Sequence, residues 1–264
     1  MADVREIRPE DRAALTALWL RVFGDPAAYV ERFFELLPAL GTGAAAFEGS
    51  RLLGAAYLLT AQTLVADGRR TPCGYLYAVA VEPEARGRGL GGALSRAAAA
   101  LGRARGAELL CTEPAEPSLF AWYARVLGWQ CALRREQRTF PSRPGPAPVP
   151  LSAEAYGQRR EALLLGAPHM ALSPAGLLLE EANCRASGGG LYALGDGLAA
   201  AYVSDGVTEV RELLGAPAEA AAALGAALGT PETALWLPSS AGEPYLAFDR
   251  SDLPADTVWN LAFD

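Results

Sequence analysis

The sequence contains no lysine, so all 23 of its basic residues are arginines. A phosphate-binding P-loop needs the lysine of G-x-x-x-x-G-K, and this class of nucleotide-binding protein is therefore excluded. The chain has one histidine and four cysteines, none of them in a C-x-x-C spacing. This composition indicates no metal site, and the absence of G-x-S-x-G leaves a serine hydrolase of that type without support.

The charge and the apolar segments argue against nucleic acid and membranes as partners. The formal net charge is -7, whereas a nucleic-acid surface needs a basic face. No apolar run is long enough to span a membrane, and the N-terminus lacks the pattern of a secretory signal. The cysteines are expected to be free buried thiols of a reducing compartment, which predicts a cytoplasmic protein; they are Cys73, Cys111, Cys131 and Cys184. His169, a lone histidine, is expected to be a loop or core residue and not a catalytic base.

The most informative stretch, residues 75–101, predicts a strand, a glycine-rich turn and a helix. Residues 75–81 alternate and are rich in β-branched and aromatic side chains, as in a buried strand. From Leu90 onwards the apolar residues recur on one face of a helix. The turn between them consists of Arg86, Gly87, Arg88, Gly89, Leu90, Gly91 and Gly92. Unpaired N–H groups at a helix N-terminus, close backbone approach at glycines and two arginines suit a phosphate or pyrophosphate.

Two fingerprints overlap in this turn. Gly87, Gly89 and Gly92 satisfy the dinucleotide pattern G-x-G-x-x-G, which would indicate a nicotinamide oxidoreductase. In that fold the first glycine follows the strand almost at once, whereas here residues 82–86 intervene and include Pro83, which cannot continue a sheet ladder. The pattern V-x-P-x-x-R-G-x-G instead resembles motif A of the GNAT acyltransferase superfamily, with Arg86, Gly89 and Gly91 at its R-x-x-G-x-G positions. We favour the GNAT resemblance and keep the oxidoreductase as an alternative.

The predicted order of elements over residues 4–140 is similar to the GNAT order: strand, two helices, three strands, helix, strand, helix, strand. We therefore expect an α/β fold with a mixed sheet, and a GNAT acetyltransferase domain over residues 1–140. Residues 141–150 (PSRPGPAPVP) have the composition of a semi-rigid proline-rich linker. Residues 151–264, ending in a predicted strand at 258–263, repeat the order as a second, degenerate GNAT-like domain. Only Gly215-Ala216-Pro217 joins its candidate central strand and helix, so no cofactor site is expected there.

The resemblance implies that acetyl-CoA binds where two parallel strands, residues 75–81 and 108–112, separate. The main chain of Val79, Ala80 and Val81 would pair with the pantetheine arm, and the turn at residues 86–92 would hold the pyrophosphate. Ser118, at the start of the next helix, is a further candidate for cofactor contact. An N–H group near Val79 would polarise the thioester carbonyl while a primary amine of a small molecule or peptide attacks directly. The acceptor itself and the number of subunits stay open.

The resemblance extends to motif B, where Tyr123 is the candidate proton donor to the departing thiolate. Tyr123 lies five residues before Gly128, whereas four is the common spacing, so an aromatic residue that only packs is the other interpretation. Many relatives have a glutamate base on the central strand, where this chain has Tyr75 and Tyr77. The candidate bases are Glu31, Glu35 and Glu113, directly or through water, and the candidate acceptor-pocket residues are Tyr29, Phe33 and Phe34. A CoA-sensing or partner-binding module that lost turnover is the alternative function.

Overall fold

The computed structural model describes residues 2–250, 253–254 and 256–263, without the side chains of Cys131 and Ala132. The prediction for the Cys131 thiol therefore lies outside the described residues. The chain divides into two compact units. The first unit contains the chain up to Leu64, Arg69–Ala132 and Leu246–Leu253, and the second contains Val65–Gly68, Leu133–Tyr245 and the chain from Pro254.

The elements of the first unit follow the predicted order. They are β1 (Asp3–Glu6), α1 (Arg12–Val22), α2 (Ala27–Leu40), β2 (Gly41–Glu48), β3 (Arg51–Ala66), β4 (Arg69–Val81), α3 (Leu90–Ala104), β5 (Leu109–Thr112) and α4 (Pro117–Leu127). Pro117 occupies the first turn of α4, where its missing N–H costs nothing, and Gly128 ends that helix at φ 75°. The strands are ordered β1-β2-β3-β4-β5, with β1, β2 and β3 antiparallel and β4 parallel to β5. The predicted mixed α/β sheet is confirmed.

A strand from much later in the sequence lies next to β5 in this sheet. The second half of β13 (Glu243–Phe248) pairs antiparallel with β5, Ala247 opposite Thr112 and Phe248 opposite Cys111. Asp249 continues the contact, because its carboxylate accepts a hydrogen bond from the N–H of Leu110 at 3.0 Å. The first unit therefore includes a strand more than a hundred residues beyond the predicted boundary at residue 140.

Both faces of the first sheet are covered. On one face α3 and α4 contribute to a core that includes Leu58, Leu94, Leu110 and Trp129. On the α1 and α2 side an aromatic cluster surrounds Trp19, whose ring lies 4.6 Å from Phe33 and 5.4 Å from Tyr57. Such large buried aromatic side chains dominate the burial energy of a small domain.

The second unit repeats the strand order of the first. Its elements are β6 (Gln130–Pro141), β7 (Val149–Pro150), α5 (Ala153–Leu163), β8 (His169–Leu172), α6 (Pro174–Ala186), β9 (Gly190–Leu194), β10 (Gly197–Ser204), β11 (Val207–Leu214), α7 (Ala218–Ala227), β12 (Glu232–Pro238) and the start of β13. The order β7-β9-β10-β11-β12 corresponds to β1-β2-β3-β4-β5, and β11 is parallel to β12 as β4 is to β5. The antiparallel strand beside β12 is β6, which precedes the predicted linker.

The predicted linker is part of this unit and not a free spacer. Its residues Val149 and Pro150 pair with β9 as strand β7. Upstream, the N–H of Arg143 donates to the carbonyl of Ala222 at 3.1 Å, and the hydroxyls of Ser142 and Thr233 are hydrogen bonded at 2.8 Å. The proline-rich composition predicts an extended backbone. An extended backbone can also pack against a helix or pair with the edge of a sheet, as this segment does.

The sequence interpretation was wrong in two places near the second unit's end and beginning. Residues 258–263 were predicted as a strand, but among the described residues of this stretch only Val258 makes a bridge, with His169. His169 itself begins β8, a strand that was not predicted, and its side chain is buried at 4% exposure. Its Nδ1 lies 2.8 Å from the carbonyl oxygen of Ala167. Because its side chain is buried, His169 is a core residue, which is one of the two positions expected from the sequence.

A buried polar network lies in the core of the second unit. Arg160 makes two hydrogen bonds to the carboxylate of Glu212, at 2.9 and 3.1 Å, and Tyr156 donates to the same carboxylate at 2.6 Å. Nearby, the buried Tyr202 hydroxyl donates to Glu180. Burial raises the pKa of Glu180 to about 7. A buried carboxyl of this kind makes the stability of its surroundings depend on pH.

Candidate active site

The parallel strands β4 and β5 separate partway along β4. Their register pairs Cys73 with Leu109 and ends with Tyr75 opposite Cys111, while β4 continues to Val81. Side chains then hold the two strands at the point of separation. The hydroxyl of Thr112 donates to the carbonyl of Leu76 at 2.8 Å, and the Tyr75 hydroxyl accepts from the N–H of Glu113 at 3.1 Å. The pairing of the two strands therefore ends where the opening was predicted, and the binding of a cofactor there stays a prediction.

Ala78 has a strained backbone just beyond this opening. Its φ is 47°, in the left-handed region that alanine rarely adopts. Val79 and Val81 beyond it are half-buried, and Ala80 is buried. Strain of this kind persists where the surrounding structure imposes it, and it is frequent at functional sites. No residue pattern in the sequence marks Ala78, and this feature of the site was missed.

The predicted anion-binding turn follows β4 after a short 3-10 turn at Pro83–Ala85. Gly87 and Gly89 have φ values of 78° and 77°, and Gly89 is the N-cap of α3. Among the described residues, no atom lies within 4 Å of the position that a Cβ would take at either glycine. The N–H of Ala93 is the first to bond within the helix, to the carbonyl of Gly89 at 3.1 Å. The N–H groups before Ala93 have no carbonyl partner one turn earlier in the helix, and the two left-handed glycines beside them carry no side chain, as a phosphate-binding turn requires.

The two arginines of the turn are exposed and oriented by neighbouring groups. Arg86 Nε donates to the carbonyl of Val81 at 3.3 Å, and Arg88 Nη2 donates to the carboxylate of Glu48 at 2.7 Å. A guanidinium has five N–H donors, so these contacts leave each arginine able to bind a phosphate as well. The position of both side chains at the start of α3 supports the predicted anion site.

Helix α4 lies against the beginning of α3. A Cβ at Gly91 would lie 3.6 Å from the Trp122 ring, and one at Gly92 would lie 3.2 Å from Val126. The small residues of the turn therefore also permit the close packing of the two helices. Ser118 lies on the first turn of α4, is exposed, and donates to Glu116 at 3.3 Å.

Tyr123 lies at the centre of the buried face of α4. Its ring is stacked on Trp129 at a centroid distance of 6.2 Å, and the residue is only 6% exposed. Ala124, at the common spacing of four residues before Gly128, is exposed. The structure thus places Tyr123 in the core between α4 and the sheet, and its role in catalysis stays a prediction.

The three candidate acceptor-pocket residues, Tyr29, Phe33 and Phe34, are all buried. Phe33 and Phe34 are buried in the aromatic cluster, whereas Tyr77 on β4 is half-buried. The hydroxyls of Tyr29 and Tyr77 are hydrogen bonded at 2.7 Å. Tyr77 directly precedes the strained Ala78, so this hydrogen bond links the buried cluster to the part of β4 beyond its pairing with β5.

The three candidate bases differ in position. Glu31 and Glu35 are exposed on α2, and Glu35 is paired with Arg32 at 3.0 Å. Glu113 directly follows β5, at the point where the strands separate, and is half-buried. Glu113 is therefore the candidate nearest to the opening.

Other chemistry has little support among the described residues. They contain no group of three or more possible metal ligands, and none of their helices is long and apolar enough to cross a membrane. Cys73, Cys111 and Cys184 are free and buried, and burial raises the pKa of the Cys73 thiol to about 12. These thiols are therefore protonated and unreactive at neutral pH.

Taken with the mixed sheet, the separated parallel strands and the glycine turn define an acyltransferase of the GNAT type. Residues 3–132 match the family described as "Acetyltransferase (GNAT) domain", and this domain of the chain belongs to the GNAT superfamily. The antiparallel strands β1, β2 and β3 are inconsistent with a dinucleotide-binding fold, whose sheet is mostly parallel. The oxidoreductase alternative is therefore wrong. No curated protein sequence matches this chain.

Several solved structures share the fold over nearly the whole chain. A GCN5-related N-acetyltransferase from Kribbella flavida is 21% identical with a TM-score of 0.66, covering 94% of this chain and 71% of its own. One from Anabaena variabilis is 14% identical with a TM-score of 0.65, over 94% of this chain and 72% of its own. Eis1 from Mycobacterium abscessus is 21% identical with a TM-score of 0.60, over 93% and 73%. At these identities the likeness concerns the fold.

Proposed function

We propose that the protein transfers an acetyl group from acetyl-CoA to a primary amine of a small molecule or peptide. The observation that carries this proposal is the opening between β4 and β5 beside the glycine turn at the N-terminus of α3. The opening exposes the main chain of one strand, and the turn presents N–H groups and two arginines beside it. An elongated ligand with an amide-containing arm and a pyrophosphate matches that arrangement.

In this proposal the turn at residues 86–92 binds the pyrophosphate, and Ser118 lies beside it at the start of α4. The main chain of Val79, Ala80 and Val81 pairs with the pantetheine arm. The N–H of Val79 polarises the thioester carbonyl, because it follows the strained Ala78 at the point where β4 has lost its neighbour. The three buried free thiols support a reducing compartment such as the cytoplasm.

The chemistry is a direct acyl transfer. The neutral amine forms a bond to the thioester carbon, and the carbon–sulfur bond breaks. The Tyr123 hydroxyl gives its proton to the leaving thiolate, and the amine loses a proton to a carboxylate. Glu113 is favoured for that role because it lies at the opening, whereas Glu31 and Glu35 are exposed on α2.

Calorimetry with acetyl-CoA and a panel of primary amines, with release of free CoA thiol as the readout, tests the proposal. We expect saturable acetyl-CoA binding, turnover with at least one amine, and no competition by NADH. Absence of acetyl-CoA binding would refute the assignment of the site.

A CoA-sensing module is the second candidate, and the burial of Tyr123 favours it. With its ring stacked on Trp129 in the core, Tyr123 has the surroundings of a structural aromatic residue. Acetyl-CoA binding without thiol release for any amine of the panel would support the sensing function over the transferase.

A further inference from the structure

The hairpin between β2 and β3 contacts the segment that leads into the anion-binding turn at two places. Glu48, the last residue of β2, accepts from Arg88 at 2.7 Å. Arg51, the first residue of β3, donates to Glu84 in the 3-10 turn. The hairpin contributes the acidic partner of the first pair and the basic partner of the second, and the two pairs lie on either side of Arg86 in the sequence. All four side chains are between 44% and 58% exposed, so the pairs lie on the surface and not in the core.

The remaining charged residues of this segment are held as well. Glu82 is buried at the end of β4 and forms an ion pair with Arg21 of α1, while its N–H donates to the carbonyl of Leu53 at 2.9 Å. Arg86 is bonded to the carbonyl of Val81. Every second residue from 82 to 88 is therefore charged, and each one is fixed to a neighbouring element.

This fixation matters because the turn itself contains flexible residues. Gly87 and Gly89 adopt left-handed conformations and, as glycines, have the largest conformational freedom to lose. A loop that is already ordered before the ligand arrives binds more tightly, because binding then does not have to reduce the conformational entropy of the loop. Arg88 lies between the two glycines, so its bond to Glu48 restrains the turn at its middle.

We propose that the β2–β3 hairpin is a clamp that holds the phosphate-binding turn in its binding conformation, with Glu48 and Arg51 as positioning residues. This inference rests on the proposed function, because it takes acetyl-CoA as the ligand of the turn. Neither residue is assigned a contact with the ligand. The hydrogen bond from the Arg88 guanidinium also keeps the pKa of the Glu48 carboxyl below its ordinary value.

A clamp and a simple charge effect predict opposite results for the acidic partner Glu84. Loss of its negative charge would strengthen the binding of an anionic ligand if only the long-range field mattered. Loss of the ion pair would weaken binding if the pair orders the turn. Exposed ion pairs contribute up to about 1 kcal/mol, which corresponds to a change in Kd of up to about fivefold.

The test uses the full chain with three variants, and Kd for acetyl-CoA is measured by calorimetry. Glu84→Gln removes one pair, and Arg51→Glu with Glu84→Arg restores it in reverse with the same net charge. Glu108→Gln is the matched control, because Glu108 forms an exposed pair with Arg69 at 2.6 Å at the other end of the domain's parallel strands. We expect weaker binding by about two- to fivefold for Glu84→Gln, recovery in the double variant and no change in the control.

Hydrogen exchange of the ligand-free protein gives a readout that does not depend on acetyl-CoA. We expect faster exchange at residues 87–92 in Glu84→Gln and normal exchange in the double variant. Unchanged or tighter binding in Glu84→Gln, or a double variant that stays weak, overturns the clamp. If the wild type binds no acetyl-CoA, the proposed function is refuted. The clamp is then tested by hydrogen exchange alone, and unchanged exchange rates at residues 87–92 in Glu84→Gln would refute it.

Discussion

Replacement of Gly89 by alanine separates the role of the turn in binding from its role in folding. Gly89 caps α3 with φ 77°, a conformation that costs an L residue roughly 1–2 kcal/mol. The added Cβ meets no described atom within 4 Å, so no steric cost is added to that strain. The methyl group would, however, occupy the space through which a phosphate approaches the N–H groups of the first turn.

The expected loss of affinity follows from one hydrogen bond to a charged group. Such a bond contributes about 1.5–3 kcal/mol, which corresponds to a Kd about 10- to 150-fold weaker. Acetyl-CoA affinity is measured by calorimetry, and the free energy of unfolding by urea denaturation.

Gly106 provides the matched control at the other end of the same helix. It also has a left-handed backbone, with φ 90°, and no described atom within 4 Å of its Cβ position. Gly106→Ala should therefore lose similar stability and retain wild-type affinity. The reasoning is refuted if Gly89→Ala binds acetyl-CoA normally, or if Gly106→Ala loses as much affinity.

Three further predictions concern other parts of the chain. Tyr123→Phe keeps the ring stacked on Trp129 and should lower turnover by roughly 10²-fold or more with acetyl-CoA affinity unchanged; near-normal steady-state turnover would make Tyr123 a packing residue. One acetyl-CoA should bind per chain, and a calorimetric stoichiometry of two would contradict a single site. Burial raises the pKa of Glu180 to about 7 from its ordinary value of 4.5, so the stabilisation that comes from its protonation should be fully present below about pH 4.5. That contribution, up to about 3 kcal/mol, is lost as the pH rises to 7. Glu180→Gln should remove this slope in urea denaturation curves measured across that range, and an unchanged slope would show that Glu180 is not its source.

The local elements of the first domain could be predicted because their signals are local. Gly89 and Gly128 stand at helix ends in left-handed conformations, and Pro117 stands on a first helical turn. Each of these residues has a backbone preference that acts within a few positions of itself. The predicted anion-binding turn depends on the same short-range rules, which is why both its place and its conformation could be expected.

The features that were missed depend on contacts distant in sequence. Alanine has no preference for the left-handed region, so the strain at Ala78 comes from the surrounding sheet and has no local signal. The pairing of β13 with β5 joins residues 247 and 112. An alternating strand pattern predicts a strand but does not say which neighbour it will have. The boundary expected at residues 141–150 was therefore inferred from amino-acid composition, whereas the division into compact units is determined by which strands pair.

The second unit has the same strand order, but a side-chain contact joins its two parallel strands beyond the end of their pairing. The parallel register of β11 and β12 ends at Val210 opposite Leu235, and the next residue, Arg211, forms a bulge against β10. The Arg211 guanidinium lies 5.2 Å from the centre of the Trp236 ring on β12, so a cation–π contact joins the two strands beyond their last pair. The segment between β11 and α7 consists of Gly215, Ala216 and Pro217. Unlike the turn at residues 86–92, it contains no arginine, and its proline has no N–H to donate. We infer that the second unit is a degenerate GNAT-like domain. A side chain bridges the position that corresponds to the opening, and the anion-binding turn is missing. For these two reasons we expect a single acetyl-CoA per chain.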